Sequence, residues 1–546
     1  MSDMALPGSI EPARRGPKLD HATNPFAAIL FMGVVGAGIL FVAYSIHSDI
    51  DAAGVKISSY VPFLLLFVVL LIALGFEFVN GFHDTANAVA TVIYTNSLPA
   101  NAAVVWSGLW NLIGVLTSSG MVAYAVLALL PVDLVLNSGT GAGLAMVFSL
   151  LVSAIIWNLG TWLLGLPASS SHSLVGAILG VGLGNAVIHH GSFAGTGVNW
   201  GQAGEVGLSL LVSPVAGFLG GALMLKLLKR LVRKPEMFSS PREGQAPPLW
   251  IRAVLVLTCT GVSFAHGSND GQKGMGLIML ILVGILPGTY ALRMNTAPEI
   301  IRQVQADAGP AVAVLDRHAG GLTLNPEEAT QELTRYLNYE SRISDRTFPA
   351  LAAKGRSLEA RLAKARTFQD LDPKDRARVR EDAWLVLDAT LKLDRTGELP
   401  SGPEREVLRA FERHLVRATQ YIPAWVKIAV ALALSLGTMV GWKRIVVTVG
   451  EKIGKEHLTY AQGASAELVA AGTIGLADLL GFPVSTTHVL SSGVAGTMAA
   501  NRSGLQTGTV RSLLLAWVLT VPVCVLLGAG TFALGLYVLL HVSGLG

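Results

Sequence analysis

Cysteine is nearly absent: the 546 residues include two, Cys259 and Cys524, and both lie inside apolar runs. Two such residues cannot build a disulfide framework, which excludes small secreted scaffolds, and both read as small buried side chains. Charge is also scarce. Asp, Glu, Lys and Arg make up 14% of the chain, against about 25% in soluble domains. Hydrophobic residues reach 52%, there are 60 glycines, and mean hydropathy is +0.55. This excludes disordered and collagenous chains and marks an all-α polytopic membrane protein. The net charge of +4 is no nucleic-acid signal. It comes largely from loops such as Lys226–Lys234, which read as cytoplasmic because basic short loops stay on that side.

The scarce charge is unevenly spread. Residues 288–422 hold 21 Lys/Arg and 20 Asp/Glu, 41 of the 76 charges in 135 residues. That block has helix-like apolar spacing, as in Ala383–Leu393, but no membrane-length run. It predicts an inserted helical soluble domain. It lacks a metal-ligand cluster, a P-loop and a glycine-rich nucleotide loop, which weighs against a second catalytic domain. The expected organisation is a flexible tail over 1–24, a first membrane repeat over 25–228 and a basic loop over 229–248. The second repeat starts over 249–287, is interrupted by the insert over 288–422, and finishes over 423–546. The apolar segment Phe26–Ser45 suffices for one span and has no cleavage site after it, so it is expected to stay as a helix.

Two pairs of segments match each other within the chain. GFEFVNGFHDTANAVA (75–90) and GVSFAHGSNDGQKGMG (261–276) share Gly75/Gly261, Phe78/Phe264, Gly81/Gly267 and Asp84/Asp270, 186 residues apart. LLGLPASSSH (163–172) and LLGFPVSTTH (479–488) share six of ten positions, 316 apart. The offsets differ by 130 residues, close to the 135 assigned to the insert on charge alone. One membrane unit is therefore repeated, and its second copy carries the extra domain. Repeats with interrupted apolar segments at corresponding positions point to a transporter site. As one straight helix, 61–95 would measure about 50 Å against a hydrocarbon core of roughly 30 Å. The run must break, tilt or re-enter, and Asn80-Gly81 and Gly267-Ser268 are the expected break points, where small and polar residues weaken a helix.

Asp84 and Asp270 follow those points, and carboxylates in apolar segments are expensive and usually functional. Asn80, Asn87, Asn269 and Gln272 add amides nearby, and Gln272 counts with Asn87 and Asn269 among the anion-binding candidates. The alternative reading makes the aspartates N-caps of half-helices, a role compatible with ligand binding. Ser169, Ser170 and Ser171 precede one small-residue helix, and Ser485, Thr486 and Thr487 precede another. Hydroxyls and free N–H groups at a helix start form an anion site. Two carboxylates in the same cavity would repel an oxyanion, and Lys273 is the only Lys or Arg beside the broken-helix motifs. Positive partners must therefore enter with the anion, as H⁺, Na⁺ or a divalent metal. His83, His172, His266 and His488 lie in or beside the motifs, and imidazole can exchange protons near neutral pH. Their spacing makes no fixed zinc site. Glu77 either lines the cation path or pairs internally; Glu467 and Asp478, before the second hydroxyl motif, are weaker candidates.

At NGFHDTANAVATVIYT (80–95), AHGSNDGQKGMGL (265–277), GLPASSSH (165–172) and FPVSTTH (482–488) the chain resembles the inorganic phosphate transporter (PiT) family. GEKIGKEHLTYAQG (450–463) is similar to its bacterial low-affinity, proton-coupled members. The resemblance implies an inner-membrane symporter, not an enzyme, with an inverted repeat, broken helices and re-entrant hairpins, often a homodimer. It implies phosphate bound near the midplane by residues matching Asp84, Asn87, Asn269 and Asp270 and the two hydroxyl tips. It also implies a cargo of neutral metal–hydrogenphosphate, with Mg²⁺ as one candidate metal, carried with H⁺. Glu77, Asn80, His83, His172 and His488 join the aspartates as candidates for cation or proton coupling. His83-Asp84 stands where many members have Asn-Asp, which weighs against sodium coupling. The alternatives are a Na⁺-coupled phosphate symporter, a permease for another tetrahedral oxyanion such as sulfate, and a membrane-embedded phosphoryl-transfer enzyme. Phosphate can donate a hydrogen bond to an aspartate near neutral pH and sulfate cannot, which favours phosphate.

Overall fold

In the computed structural model the described residues are 25–54, 61–130, 140–190, 198–242, 245–290, 292–294, 296–338 and 342–541, with Leu19 and Leu134. Apart from Leu19, the tail expected over 1–24 lies outside them. The first membrane helices are α1 (Pro25–Ala52), α2 (Val61–Tyr94), α3 (Ala100–Thr117), α4 (Met121–Leu127), α5 (Gly141–Leu163), α6 (Ser170–His190), α7 (Trp200–Leu231) and α8 (Leu249–Ile285). Then come α9 (Pro298–His318), α10 (Pro326–Asn338), α11 (Thr347–Leu362), α12 (Pro373–Thr396) and α13 (Pro403–Thr419). The chain closes with α14 (Ala424–Thr438), α15 (Tyr460–Leu479), α16 (Thr486–Asn501) and α17 (Thr507–His541). No strand occurs among the described residues, and eight helices are long and apolar enough to cross a membrane.

The polar helices α9–α13 pack around an apolar cluster of their own, including Ile301, Leu333, Leu351, Val386 and Phe411. Local chemistry ends these helices cleanly. In α12, Asp372 accepts from Asp375 N, Pro373 occupies the first turn, and Gly397 closes the helix at φ +74°. That is an N-cap, a favourable N1 proline and a left-handed C-cap. The bundle is tied to the membrane helices by polar contacts. Arg376 donates to the Ala53 carbonyl after α1 at 2.9 Å, and Arg395 donates to Gln202 at the start of α7 at 3.0 Å.

The expected breaks do not occur. α2 is helical over 34 residues and α8 over 37, straight through Asn80-Gly81 and Gly267-Ser268. The glycines serve a different purpose. A Cβ on Gly81 would lie 2.2 Å from the Leu434 carbonyl of α14, and one on Gly437 of α14 would lie 2.1 Å from Phe78 O of α2. Gly267 and Gly114 do the same between α8 and α3, at 2.2 Å from Asn111 O and from Phe264 O. Small residues let helix backbones touch, which is how membrane helices gain packing without a hydrophobic driving force. The polar residues of the middle turns are covered by protein, so they cost no exposure to lipid. At about 1.5 Å per residue both helices outrun a core of roughly 30 Å, so their ends reach beyond the hydrocarbon or the helices tilt. The packing is reciprocal. α3 lies on α8 and α14 on α2, while α17 lies on α6 and α16 on α7.

Candidate substrate and cation site

Two helical hairpins, α5–α6 and α15–α16, bring their connecting turns together beside the middle of α2 and α8. Each turn ends in a serine that caps the following helix. Ser169 Oγ accepts from His172 N and Ser485 Oγ accepts from His488 N, both at 3.2 Å. The two turns touch, because Ser171 donates to the Val484 carbonyl at 2.8 Å. The hydroxyl runs are thus buried helix starts, as expected from sequence.

Asp84 sits where the hairpins meet α2. Thr487 donates to its Oδ1, and Ser170 donates to its Oδ2 at 3.3 Å and to Asn80 Oδ1 at 2.5 Å. One carboxylate therefore takes hydroxyl bonds from both tips. Asp270 of α8 faces it across His266, whose Nε2 is 3.5 Å from Asp84 and 3.6 Å from Asp270. One ligand atom of each of Asp84, His266 and Asp270 lies within 4.8 Å of the others. Lys273 is fully buried and donates to Asp270 at 2.6 Å, to Ser171 at 2.5 Å and to Val484 O at 3.3 Å. Asp270 Oδ2, His266 Nε2 and Glu77 Oε1 are buried with no hydrogen-bond partner among the described residues. Such atoms are costly unless they meet an ion or another polar group.

The neutral candidates have different roles. Asn269 holds the second turn, donating to Phe482 O at 3.1 Å and accepting from Val484 N at 3.4 Å. Gln272 donates to Asp478 at 2.6 Å and accepts from Val122 N of α4 at 2.9 Å. Their amides position backbone around the site. Asp84 and Asp270 lie inside continuous helices, so neither is an N-cap. Asn87 lies on α2, but its side chain is outside the described residues. Glu77 is buried, accepts from Asn80 at 3.5 Å and packs over Gly274, where a Cβ would be 2.4 Å from its Oε1. His83 donates to the Asn158 carbonyl at 2.5 Å. The His172 and His488 rings lie 4.5 Å apart in a tilted contact, and His488 stacks on Trp517 at 4.1 Å; neither bonds an aspartate among the described residues. Glu467 forms a separate buried node, accepting from Thr91 of α2 and from Thr258 of α8 at 2.5 Å.

His266 and Lys273 are closer to the centre than their motif positions alone conveyed. A signal was available. They stand four before and three after Asp270, which is one turn either way on a single helix face. The expected break at Gly267-Ser268 obscured the His266 half of it, because a break there puts that histidine on the other half-helix.

The profile of the phosphate transporter family matches residues 80–528. The chain belongs to the phosphate transporter family. It is 42% identical to the low-affinity inorganic phosphate transporter PitA of Escherichia coli (strain K12) over 495 residues, covering 87% of this chain and 97% of that protein. It is 41% identical to PitB of the same strain over 491 residues, with the same coverage. A solved structure, the sodium-dependent phosphate transporter, aligns at TM-score 0.48 and 20% identity over 86% of this chain and 98% of that one. The chain is a multi-pass membrane transporter rather than an enzyme.

Proposed function

We propose that the chain imports inorganic phosphate across the inner membrane by cation symport, with H⁺ as coupling ion and neutral metal–hydrogenphosphate as cargo. The observation that carries this is the position of Asp84, a carboxylate hydrogen-bonded by hydroxyls from both hairpin tips. An incoming oxyanion needs those same donors and helix starts. It must displace the aspartate, and the released carboxylate then needs a positive partner in a water-poor chamber. Asp270 already has Lys273, so the deficit falls on Asp84 and the His266 imidazole 3.5 Å from it, which carries charge only when protonated. A metal riding with phosphate, or a proton, cancels it. The His266 and Asp270 atoms beside Asp84 supply nitrogen and oxygen ligands for such a cation in transit.

The proposal includes an inverted repeat, supported by the duplicated motifs and the reciprocal pairing of α3 with α8, α14 with α2, α17 with α6 and α16 with α7. It keeps 25–228 as the first repeat, 229–248 as the basic loop, and 249–287 with 423–546 as the second repeat. Residues 288–422 remain a separate insert, supported by its own apolar cluster. The resemblance adds a homodimer. The PitA and PitB names specify inorganic phosphate. The His83-Asp84 pair favours H⁺ over Na⁺.

The test is radiolabelled phosphate uptake into proteoliposomes under separately imposed pH and sodium gradients, with and without Mg²⁺. A pH gradient should drive accumulation, Mg²⁺ should raise it, and a sodium gradient alone should not. Equal uptake with every gradient collapsed and Mg²⁺ chelated would remove the coupling reading.

A further inference from the structure

The insert lies at the opposite end of the membrane helices from the basic loop. α7 runs 32 residues between them, with Gln202 bonded to Arg395 of α12 near one end and Lys229 bonded to Asn501 near the other. At about 1.5 Å per residue that helix exceeds the bilayer core. The far end gathers the run Lys226–Lys234, Arg502 beside Asn501, and Lys455, whose N bonds Gly504 O. Basic residues in short loops mark the cytoplasmic side, whereas long domains cross regardless of charge. The insert therefore faces outward, the side from which an importer receives substrate.

Where the insert meets the membrane part there is a cavity of about 120 Å³. Its wall includes Tyr124 of α4, Met279 and Val283 of α8, and Arg380, Trp384 and Asp388 of α12. Met279 and Val283 lie nine and thirteen residues past Asp270 on α8, so the cavity is about 14–20 Å further along that helix. α4 reaches between the two places, with Val122 N on Gln272 and Tyr124 on the cavity wall. Arg380 and Asp388 are two turns apart on α12, both partly shielded, and neither makes a hydrogen bond or ion pair among the described residues. Burial moves the Asp388 carboxyl up to about 7 and the Arg380 guanidinium down to about 10. Tyr290, buried on the same wall, packs beside Trp425 and Asp49. A guanidinium suits phosphate oxygens and a carboxylate suits a hard cation. Opposite charges that meet each other, Arg395 and Glu381 only through space, with no direct bond, match a ligand that carries both.

We propose that this cavity binds a phosphate group carried beside a positive centre, Arg380 taking the phosphate and Asp388 the cation, and that it captures metal–hydrogenphosphate before the ion pair reaches the buried carboxylates. The inference rests on the transport reading above. A zwitterionic lipid headgroup, phosphoethanolamine, offers the same chemistry and is separated by experiment.

The test uses the full-length protein in proteoliposomes, with phosphate plus Mg²⁺ as probe. Arg380→Gln and Asp388→Asn should each raise KM about ten-fold, the value of one charge-assisted bond, while the maximal rate falls far less. Arg380→Lys should recover part of the shift. Unchanged KM in both neutral variants overturns the proposal. Where Arg380→Gln fails to fold, Asp388→Asn and Arg380→Lys carry the same test. A KM shift that persists in liposomes lacking phosphatidylethanolamine assigns the site to substrate. A shift seen only in liposomes containing that lipid overturns capture and assigns the headgroup. Glu327→Cys, on the exposed insert, should react with an impermeant maleimide in intact cells, since both native cysteines are buried. Labelling only after permeabilisation overturns the outward placement. A wild-type protein that moves no phosphate defeats the transport reading instead.

Discussion

Asp84 and Asp270 occupy matching positions in the two copies of one motif, yet their surroundings differ in charge. Asp84 takes neutral hydroxyls from both hairpin tips, Thr487 and Ser170. Asp270 takes an ammonium from Lys273, one turn along its own helix. At the shared offset of 186, Asn80 stands opposite His266 and Asn87 opposite Lys273. The first copy has amides where the second has basic residues. Between the two matching segments, divergence at two positions gave Asp270 a permanent ammonium, whereas Asp84 has beside it the His266 imidazole at 3.5 Å, charged only when protonated. Under the proposed symport that inequality has a use, because a site neutral on its own would bind its anion without requiring a co-ion.

The largest effects should come from breaking this contrast. Asp84→Asn should reduce phosphate uptake to background while membrane insertion and thermal stability stay near wild type, since an amide can still accept from Thr487. Asp270→Asn should also abolish uptake, but for an additional reason. It leaves a buried ammonium unpaired, which costs about 3–5 kcal/mol. The thermal midpoint of the detergent-purified variant should fall, and adding Lys273→Gln should restore the midpoint. If Asp270→Asn melts like wild type, Lys273 is not committed to Asp270 and the contrast fails.

A smaller effect sharpens the Asp84 side. A hydrogen bond to a charged group is worth about 1.5–3 kcal/mol, so Thr487→Val should raise the KM for phosphate about ten-fold or more. Ser170→Ala should do less to Asp84, because its bond there is long at 3.3 Å, although it also frees Asn80. Equal KM values for wild type and Thr487→Val in transport assays would show that this hydroxyl serves the aspartate alone and not the anion.

Much of this was legible in the amino-acid sequence. The duplicated Gly-x-x-Asp and Pro-x-Ser/Thr-Ser/Thr-Ser/Thr-His patterns located the aspartates and hydroxyl tips, and charge density located the polar block. The helix breaks were misread for a physical reason. Glycine beside a polar residue weakens an isolated helix, but Gly81 and Gly267 sit under the backbones of α14 and α3, where any side chain would collide. Close approach and chain breaking use the same residue, and only the partner helix tells them apart. The hydrogen bonds of Asn269 and Gln272 were equally hidden, since they reach residues more than 140 positions away. The juxtaposition of α12 with α4 and α8, which forms the outer cavity, has no local signature at all.

A third carboxylate sharpens the comparison from outside the membrane. Asp84 and Asp270 have partners within hydrogen-bond reach, whereas Asp388 of α12 has none among the described residues and is held up to about 7 from the usual 3.8, mainly by burial. Between those two values the folded protein holds a proton on Asp388 that the unfolded chain has released. The contribution of this carboxyl to stability is therefore fully present below about pH 4, declines as pH rises, and levels off above about 7. Asp388→Asn removes the titrating group and keeps the shape. The melting midpoint of wild type minus that of the variant should accordingly fall from pH 5 to pH 7.5 and flatten beyond. A difference that rises with pH would mean that Asp388 is ion-paired in the folded protein. In that case Arg395 or Arg380 would be its partner, and the contrast between paired membrane carboxylates and an unpaired one in the insert would disappear.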